Sequence, residues 1–328
     1  VSEAIALRGV TKTFGDKVAV RDLDLDVPEG ALYGLIGPNG AGKTTSIRMM
    51  MSILFPDRGE VRVLGHASAL EAKDRIGYLP EERGVYKKMK VGDFLAYMAR
   101  LKGCSGHGLP RLVHQWLERV ALPGVENKRC EELSKGMQQK VQLVAAVIHE
   151  PQLLILDEPF SGLDPVNMRL LRDLVLEQHR RGTTILFSTH VMVQAEQLCD
   201  HIVMIHDGRK VLDGTLAQIR STHDPRTLWF EALDPQADVR RLAELDGIAA
   251  VERSAAAWEI TLAEAAEPGA VMRRVVETMA PARLELHRPT LEDIFVQIVA
   301  GGGGGSEQER ARLRAALEPD AAPQGSRA

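Results

Sequence analysis

The segment Gly37-Pro38-Asn39-Gly40-Ala41-Gly42-Lys43-Thr44 restricts the folds open to this chain more than any other. An apolar run, residues 31–36, leads into it, and residues 44–54 read as a helix behind it. That is the strand–loop–helix context a phosphate-binding loop requires. Glycines at 37, 40 and 42 let backbone N–H groups curl around anionic oxygens without a Cβ in the way. The oxygens would lie at a helix N-terminus, where free amides and the helix dipole favour negative charge. Lys43 is spaced to reach the β- and γ-phosphates of a nucleotide, and the Thr44 hydroxyl to ligate Mg2+.

Leu153-Leu154-Ile155-Leu156-Asp157-Glu158 is an apolar strand that ends in two acids. Parallel-sheet enzymes place ligands beyond the C-terminal ends of their strands. Asp157 would therefore face the metal, and Glu158 the attacking water, as general base or water-orienting group. Ser188-Thr189-His190 closes another strand at the same edge, where His190 can hydrogen-bond the γ-phosphate and register its loss. Between these motifs, Glu131-Glu132-Leu133-Ser134-Lys135-Gly136-Met137 opens a helix capped by Ser134, and its first amides form a second anion site. One nucleotide does not need two γ-phosphate sites in one chain. A simple explanation is that this helix end meets the nucleotide held by another copy.

The 328 residues suffice for one large and one small domain. A net charge of -4 argues against nucleic-acid binding, which needs a basic excess. The longest apolar runs, residues 143–148 and 153–156, fall far short of the ~18–20 residues of a bilayer span. Val1-Ser2-Glu3-Ala4 lacks the layout of a signal peptide. Cys104, Cys130 and Cys199 are scattered and odd in number, which fits reduced thiols. Residues 1–222 alternate strands (4–7, 32–36, 153–156, 184–188, 202–205) with helical stretches, which predicts a mainly parallel sheet. Asp207-Gly208 marks a hairpin that adds antiparallel pairing. Residues 223–300 restart as strand, helix (239–245), strand, strand, helix, strand and helix, a ferredoxin-like order. Residues 301–305 are all Gly and read as a flexible linker, and the tail to residue 328 reads as disordered.

Taken together, these motifs resemble the ATP-binding subunit of an ABC transporter over residues 4 to about 220. By that resemblance residues 37–45, Thr45 included, match the Walker A loop, and residues 153–158 the Walker B strand. Residues 133–137 match the signature, residues 161–164 with Asp164 the D-loop, and His190 the switch histidine. Phe14 matches the aromatic that stacks on adenine. The resemblance implies an α/β P-loop cassette with a mixed sheet, a helical subdomain at about 82–140 and a small α+β domain behind it. It also implies ATP and Mg2+ as ligands, with Thr44, Glu81 and Asp157 at the metal. Two copies would sandwich two ATP molecules, Ser134, Gly136 and Asp164 acting across the interface, and a separate integral membrane permease would be the partner. Such a subunit sits peripherally on the cytoplasmic face of the membrane.

Two motifs depart from the family pattern. Glu81 stands where Gln is usual, adding a charge at the metal. The signature, usually Leu-Ser-Gly-Gly-Gln, carries Lys135 and Met137, and Lys135 brings a cation to where a neighbour's γ-phosphate would lie. The stretches 77–86 and 288–295 resemble the bacterial ABC-2-type exporter branch, which includes sodium- and drug-export subunits. The rival from another class is a soluble ABC ATPase acting on ribosomes or DNA; tandem cassettes, a long coiled-coil insertion and a basic excess, its usual marks, are all missing.

Overall fold

The computed structural model describes residues 2–299 apart from Arg83, 223–225, 255–256 and Arg288. The expected linker and tail, and the Arg83 and Arg288 of the exporter-like stretches, lie outside the described residues. The chain forms two compact units, one built on residues up to 216 and one on residues 217–297.

The first unit opens with strands β1 (Glu3–Phe14) and β2 (Lys17–Pro28), then β3 (Leu32–Ile36), helix α1 (Lys43–Met50), β4 (Arg58–Val63) and β5 (Ile76–Leu79). Helices α2 (Val91–Leu101), α3 (Leu109–Arg119) and α4 (Lys135–Val147) follow. The chain returns through β6 (Leu153–Asp157), α5 (Pro165–Arg180), β7 (Thr184–Thr189), α6 (Met192–Leu198), β8 (His201–His206) and β9 (Arg209–Thr215). The strands split into two sheets. One has the order β5-β6-β7-β3-β8-β9, parallel except for the β8–β9 hairpin expected at Asp207-Gly208. Every residue of β3, β6 and β7 is buried, so each is a near-continuous apolar run with no alternation.

The other sheet, order β2-β1-β4, is antiparallel. Residues 4–7, expected in the parallel sheet, belong here instead, within a twelve-residue strand. The physical reason is the tight turn at Gly15-Asp16, which pairs Phe14 with Lys17 and folds β2 back along β1. In β2, Val20, Leu23, Leu25 and Val27 are buried while Asp22, Asp24 and Asp26 face outward, the pattern of a half-buried strand.

The second unit contains β10 (Thr227–Ala232), β11 (Ile248–Arg253), β12 (Trp258–Leu262) and β13 (Pro281–His287) in the order β11-β12-β10-β13, all antiparallel. Numbered within the unit this is 2-3-1-4, the ferredoxin-like arrangement expected from the element order. One element differs: Val239–Glu244 is a 3-10 segment, where an α-helix was expected. Its buried residues, Val239 and Leu242, are three apart, and three residues per turn places them on one face.

What positions the candidate site is the packing behind the loop after β3. A Cβ on Gly37, whose φ is 152°, would stand 2.1 Å from the Ile205 carbonyl oxygen of β8. One on Gly42, φ 109°, would stand 2.5 Å from the carbonyl of Ala19 in β2. The tip of the β8–β9 hairpin completes the support, with Gly208 N–H donating to Ala41 O at 2.9 Å and Arg21 N–H to Gly208 O at 2.8 Å. The loop is thus clamped from behind by both sheets. Gly37→Ala is expected to cost about 2–3 kcal/mol and lower Tm by about 5–10 °C. Gly65→Ala, also at positive φ but with open space around it, is expected to cost about 1 kcal/mol, so thermal unfolding of the pair isolates the clash.

Candidate functional site

Three neighbouring strands, in the order β6-β7-β3, end at one edge and deliver the chemistry there. From β3 comes the loop 37–42. Its last residue, Gly42, is the N-cap of α1 in a left-handed conformation with no side-chain cap, and the first turn of α1 carries no acidic residue. The free amides at this helix start are therefore available to an anion. Lys43 is 5% exposed, and its Nζ donates to Gly37 O at 2.7 Å and Pro38 O at 3.3 Å, bending the ammonium back over the loop. Burial holds the Lys43 ammonium below its ordinary pKa, against the opposing pull of Glu158 and Asp157.

From β6 come Asp157 and Glu158. Asp157 is fully buried and pairs in register with Ser188 of β7, whose hydroxyl donates to Asp157 Oδ1. Burial raises the Asp157 pKa above the ordinary carboxylate range, and hydrogen bonds from the Ser188 and Thr44 hydroxyls pull it back. Asp157 Oδ2 is buried with no hydrogen-bond partner. Glu158 sits in a left-handed conformation, φ 48°, costly for a residue with a Cβ, and its N–H donates to Ser188 O at 3.1 Å. The turn aims its side chain back along the sheet edge. Its Oε1 lies 2.9 Å from His190 Nδ1 and 3.6 Å from Lys43 Nζ, and its Oε2 accepts from the Thr189 hydroxyl at 3.3 Å.

Lys43 and Glu158 open onto a cleft of about 420 Å3, in the range of ligand pockets, while Asp157 and His190 stand behind them and are not among its lining residues. Phe14, Asn39, Gly40, Gly42, Lys43, Thr44, Thr45, Glu81 and Glu158 line it, and the structure so gathers these expected residues at one cleft. Phe14 is 48% exposed at its rim, at the turn between β1 and β2. Lys17 and Ala19 also line it but were not picked out from sequence; the signal was the alternating strand they begin. Thr189, a buried hydroxyl that positions both Glu158 and Gln194, was missed as well. Glu81 follows β5 and is exposed; burial, then the neighbouring charges of Asp157 and Glu158, raise its pKa, with Lys43 and His190 opposing.

The oxygen donors fit Mg2+. The partnerless Asp157 Oδ2 and the Thr44 hydroxyl are hard ligands, the kind this ion takes. Among the described residues no group of three or more His, Cys, Asp or Glu could hold a metal alone, so phosphate and water would supply the remaining positions.

Ser134, Gly136 and Asp164 are not among the residues lining this cleft. Ser134 caps α4 by accepting from Met137 N–H at 3.3 Å, and Ser134 and Lys135 are exposed. A Cβ on Gly136 would contact Leu163 and Asn167, so the signature and D-loop pack together within one chain. Asp164 caps α5, accepting from Val166 N–H at 3.0 Å and Asn167 N–H at 2.9 Å. These bonds lower its pKa, that from Asn167 N–H foremost.

The ABC transporter family profile matches residues 20–161, and a profile described as the C-terminal domain of DrrA1-3-like ATP-binding proteins matches residues 214–299. The ABC transporter ATP-binding protein YhaQ of Bacillus subtilis (strain 168) is 42% identical over 290 residues, 88% of this chain and 96% of its own. The Nod factor export ATP-binding protein I of Rhizobium sp. (strain N33) is 34% identical over 299 residues, 90% of this chain and 96% of its own. A solved ATP-binding subunit of an ABC transporter superposes with a TM-score of 0.62 at 32% identity, covering 67% of this chain and 92% of that one. A dimeric ATP-binding cassette in a post-hydrolysis state with ADP and phosphate superposes at 0.60, with 21% identity, over 65% of this chain and 98% of that one; the likeness is one of fold.

The buried charges carry a stability signature. A carboxylate with a raised folded pKa weakens the fold as pH climbs through its titration and protects it below. Asp157→Asn keeps the acceptor for Ser188 and removes the buried charge. It is expected to raise the Tm of the nucleotide-free protein at pH 7.5, with the gain shrinking as the pH falls toward 4. Differential scanning fluorimetry across pH checks it.

Proposed function

The chain belongs to the ABC transporter ATP-binding proteins, and from that premise we propose that it hydrolyses ATP to drive an exporter through a separate membrane permease, working as a pair of copies. The observation that carries the catalytic reading is the set of contacts at Glu158: His190 at 2.9 Å, Thr189 at 3.3 Å and Lys43 at 3.6 Å, with Glu158 and Lys43 themselves lining the phosphate cleft. A carboxylate fixed on three sides and facing a phosphate is placed to orient water and accept its proton.

In this reading the amides of residues 37–45 wrap the phosphates and Lys43 swings from Gly37 O and Pro38 O to the β- and γ-phosphates. Phe14 at the rim stacks on the adenine. Thr44 and Asp157 hold Mg2+, with Glu81 facing it directly or through water; bound Mg2+ would neutralise phosphate charge. His190 shares its ring between Glu158 and the γ-phosphate, so loss of that phosphate loosens the contact. Ser134 and Gly136 of a second copy close the site over the γ-phosphate, with Asp164 at the junction. Part of the binding energy of ATP then exists only in the paired state, which ATP favours and hydrolysis releases.

Residues 1–222 form the cassette in this scheme and 223–300 a separate small domain. The helical subdomain at about 82–140 meets the permease. Its exposed Tyr86, Tyr97 and Leu101 (52%, 39% and 51%) give that subdomain an apolar, aromatic face suited to a protein partner. The match to a Nod factor export subunit over nearly the full chain supports the export direction. No helix among the described residues is long and apolar enough to cross a membrane, so the span is assigned to the partner, with this chain peripheral on the cytoplasmic face. The net charge of -4 fits a system without nucleic acid.

Glu158→Gln is expected to keep ATP binding, measured with a fluorescent analogue, while turnover falls about a thousandfold. Turnover at the unmodified rate would remove Glu158 as the base. Tagged protein from detergent-solubilised membranes is expected to bring down an integral membrane protein, whereas ribosomes or DNA with no membrane partner would overturn the exporter assignment.

A further inference from the structure

Two of the departures from the family pattern, Glu81 and Lys135, have opposite charges, and among the described residues neither takes part in an ion pair. Glu81 lines the phosphate cleft on the side of Glu158, with the buried Asp157 behind. The cations lining that cleft are Lys43, already bent onto the loop carbonyls and toward Glu158, and Lys17. Among the described residues Glu81 takes part in no ion pair, and the acids Asp157 and Glu158 stand near it. A triphosphate entering the cleft with Mg2+ still adds net negative charge beside it, since the ion offsets only part of the phosphate charge.

Lys135 presents the mirror case. It is the first residue of α4, next to the capping Ser134, exposed, and without an ion pair among the described residues. A cation at the N-terminal end of a helix meets the positive end of the helix dipole, an arrangement that costs stability. The first turn of α4 holds no acidic residue to offset it. Each residue is therefore electrostatically disfavoured where it stands, and each would be relieved by the other.

We propose that Glu81 of one copy and Lys135 of the second form a charge pair across the two-copy interface, so that the extra carboxylate in each cleft is neutralised by the extra ammonium on the opposing signature helix. The inference rests on the two-copy reading above, in which that helix end covers the cleft. The occupant it names is a second copy of this chain, by charge complementarity between two surfaces of the same molecule. By symmetry the pair forms twice, once at each nucleotide. Charge pairs of this kind act on specificity as well as affinity: a cassette with neutral residues at both positions would leave either charge unmatched. The pair thus favours self-association over mixing with other cassettes.

The test is a double-mutant cycle in the Glu158→Gln background, which holds ATP without turnover, read as the dimer dissociation constant by analytical ultracentrifugation with ATP and Mg2+. Glu81→Gln and Lys135→Gln each remove one charge from an exposed position at little risk to folding. Each single change is expected to weaken the dimer about tenfold, and the double change by about tenfold rather than a hundredfold. Lys135→Glu is expected to weaken it further, and Glu81→Lys added to it to recover most of that loss. If Lys135→Gln weakens the dimer equally with Glu or Gln at 81, the ammonium acts on the phosphate and the pair is wrong. No effect of Lys135→Gln also overturns the pair. If the Glu158→Gln protein does not dimerise with ATP at all, the two-copy reading fails first, an outcome distinct from a dimer that forms but shows no coupling.

Discussion

One ammonium and two carboxylates are buried together at the end of strands that are otherwise wholly apolar, and the rest of the cassette is arranged around that cost. Burying charge without full compensation is expensive, and here the compensation is incomplete by design. Lys43 is held by carbonyl oxygens and one oxygen of Glu158, and Asp157 keeps one oxygen without a partner. Such a site is stable only within a rigid frame.

The rigid frame comes from both sheets. The parallel sheet sets Leu35, Ser188 and Asp157 side by side through the order β3-β7-β6. The antiparallel sheet and the β8–β9 hairpin press on the back of the phosphate loop at Ala19, Ile205 and Gly208, where glycines at 37 and 42 alone allow the approach. Signature and D-loop lie side by side at Gly136, Leu163 and Asn167.

The site was legible in sequence wherever its residues sit beside a strand end. Gly37–Thr44, Asp157, Glu158 and His190 each stand at or just past the end of a buried strand, and the position of such strands in a parallel sheet fixes which edge those residues share. What escaped lies in contacts made across long sequence distances. Lys17 and Ala19 reach the cleft because β2 pairs with β1, and nothing local at Ala19 announces the loop it supports. Residues 4–7 were assigned to the wrong sheet for the same reason: four residues do not reveal their partner. In the small domain the strand order followed from the element order, while the 3-10 turn at Val239–Glu244 depended on a spacing of three between two core residues. Glu81 and Lys135 were visible only as departures, and their meaning required seeing which surfaces they occupy.

In the two-copy reading, one chain holds half of each ATP site. Steady-state ATP hydrolysis by the purified chain, followed over a thousandfold range of protein concentration, tests that claim most directly. If two copies complete the site, activity per chain rises steeply with concentration and then levels as the pair becomes saturated. Activity per chain that stays constant across the whole range, with the protein shown to be monomeric throughout, would contradict it.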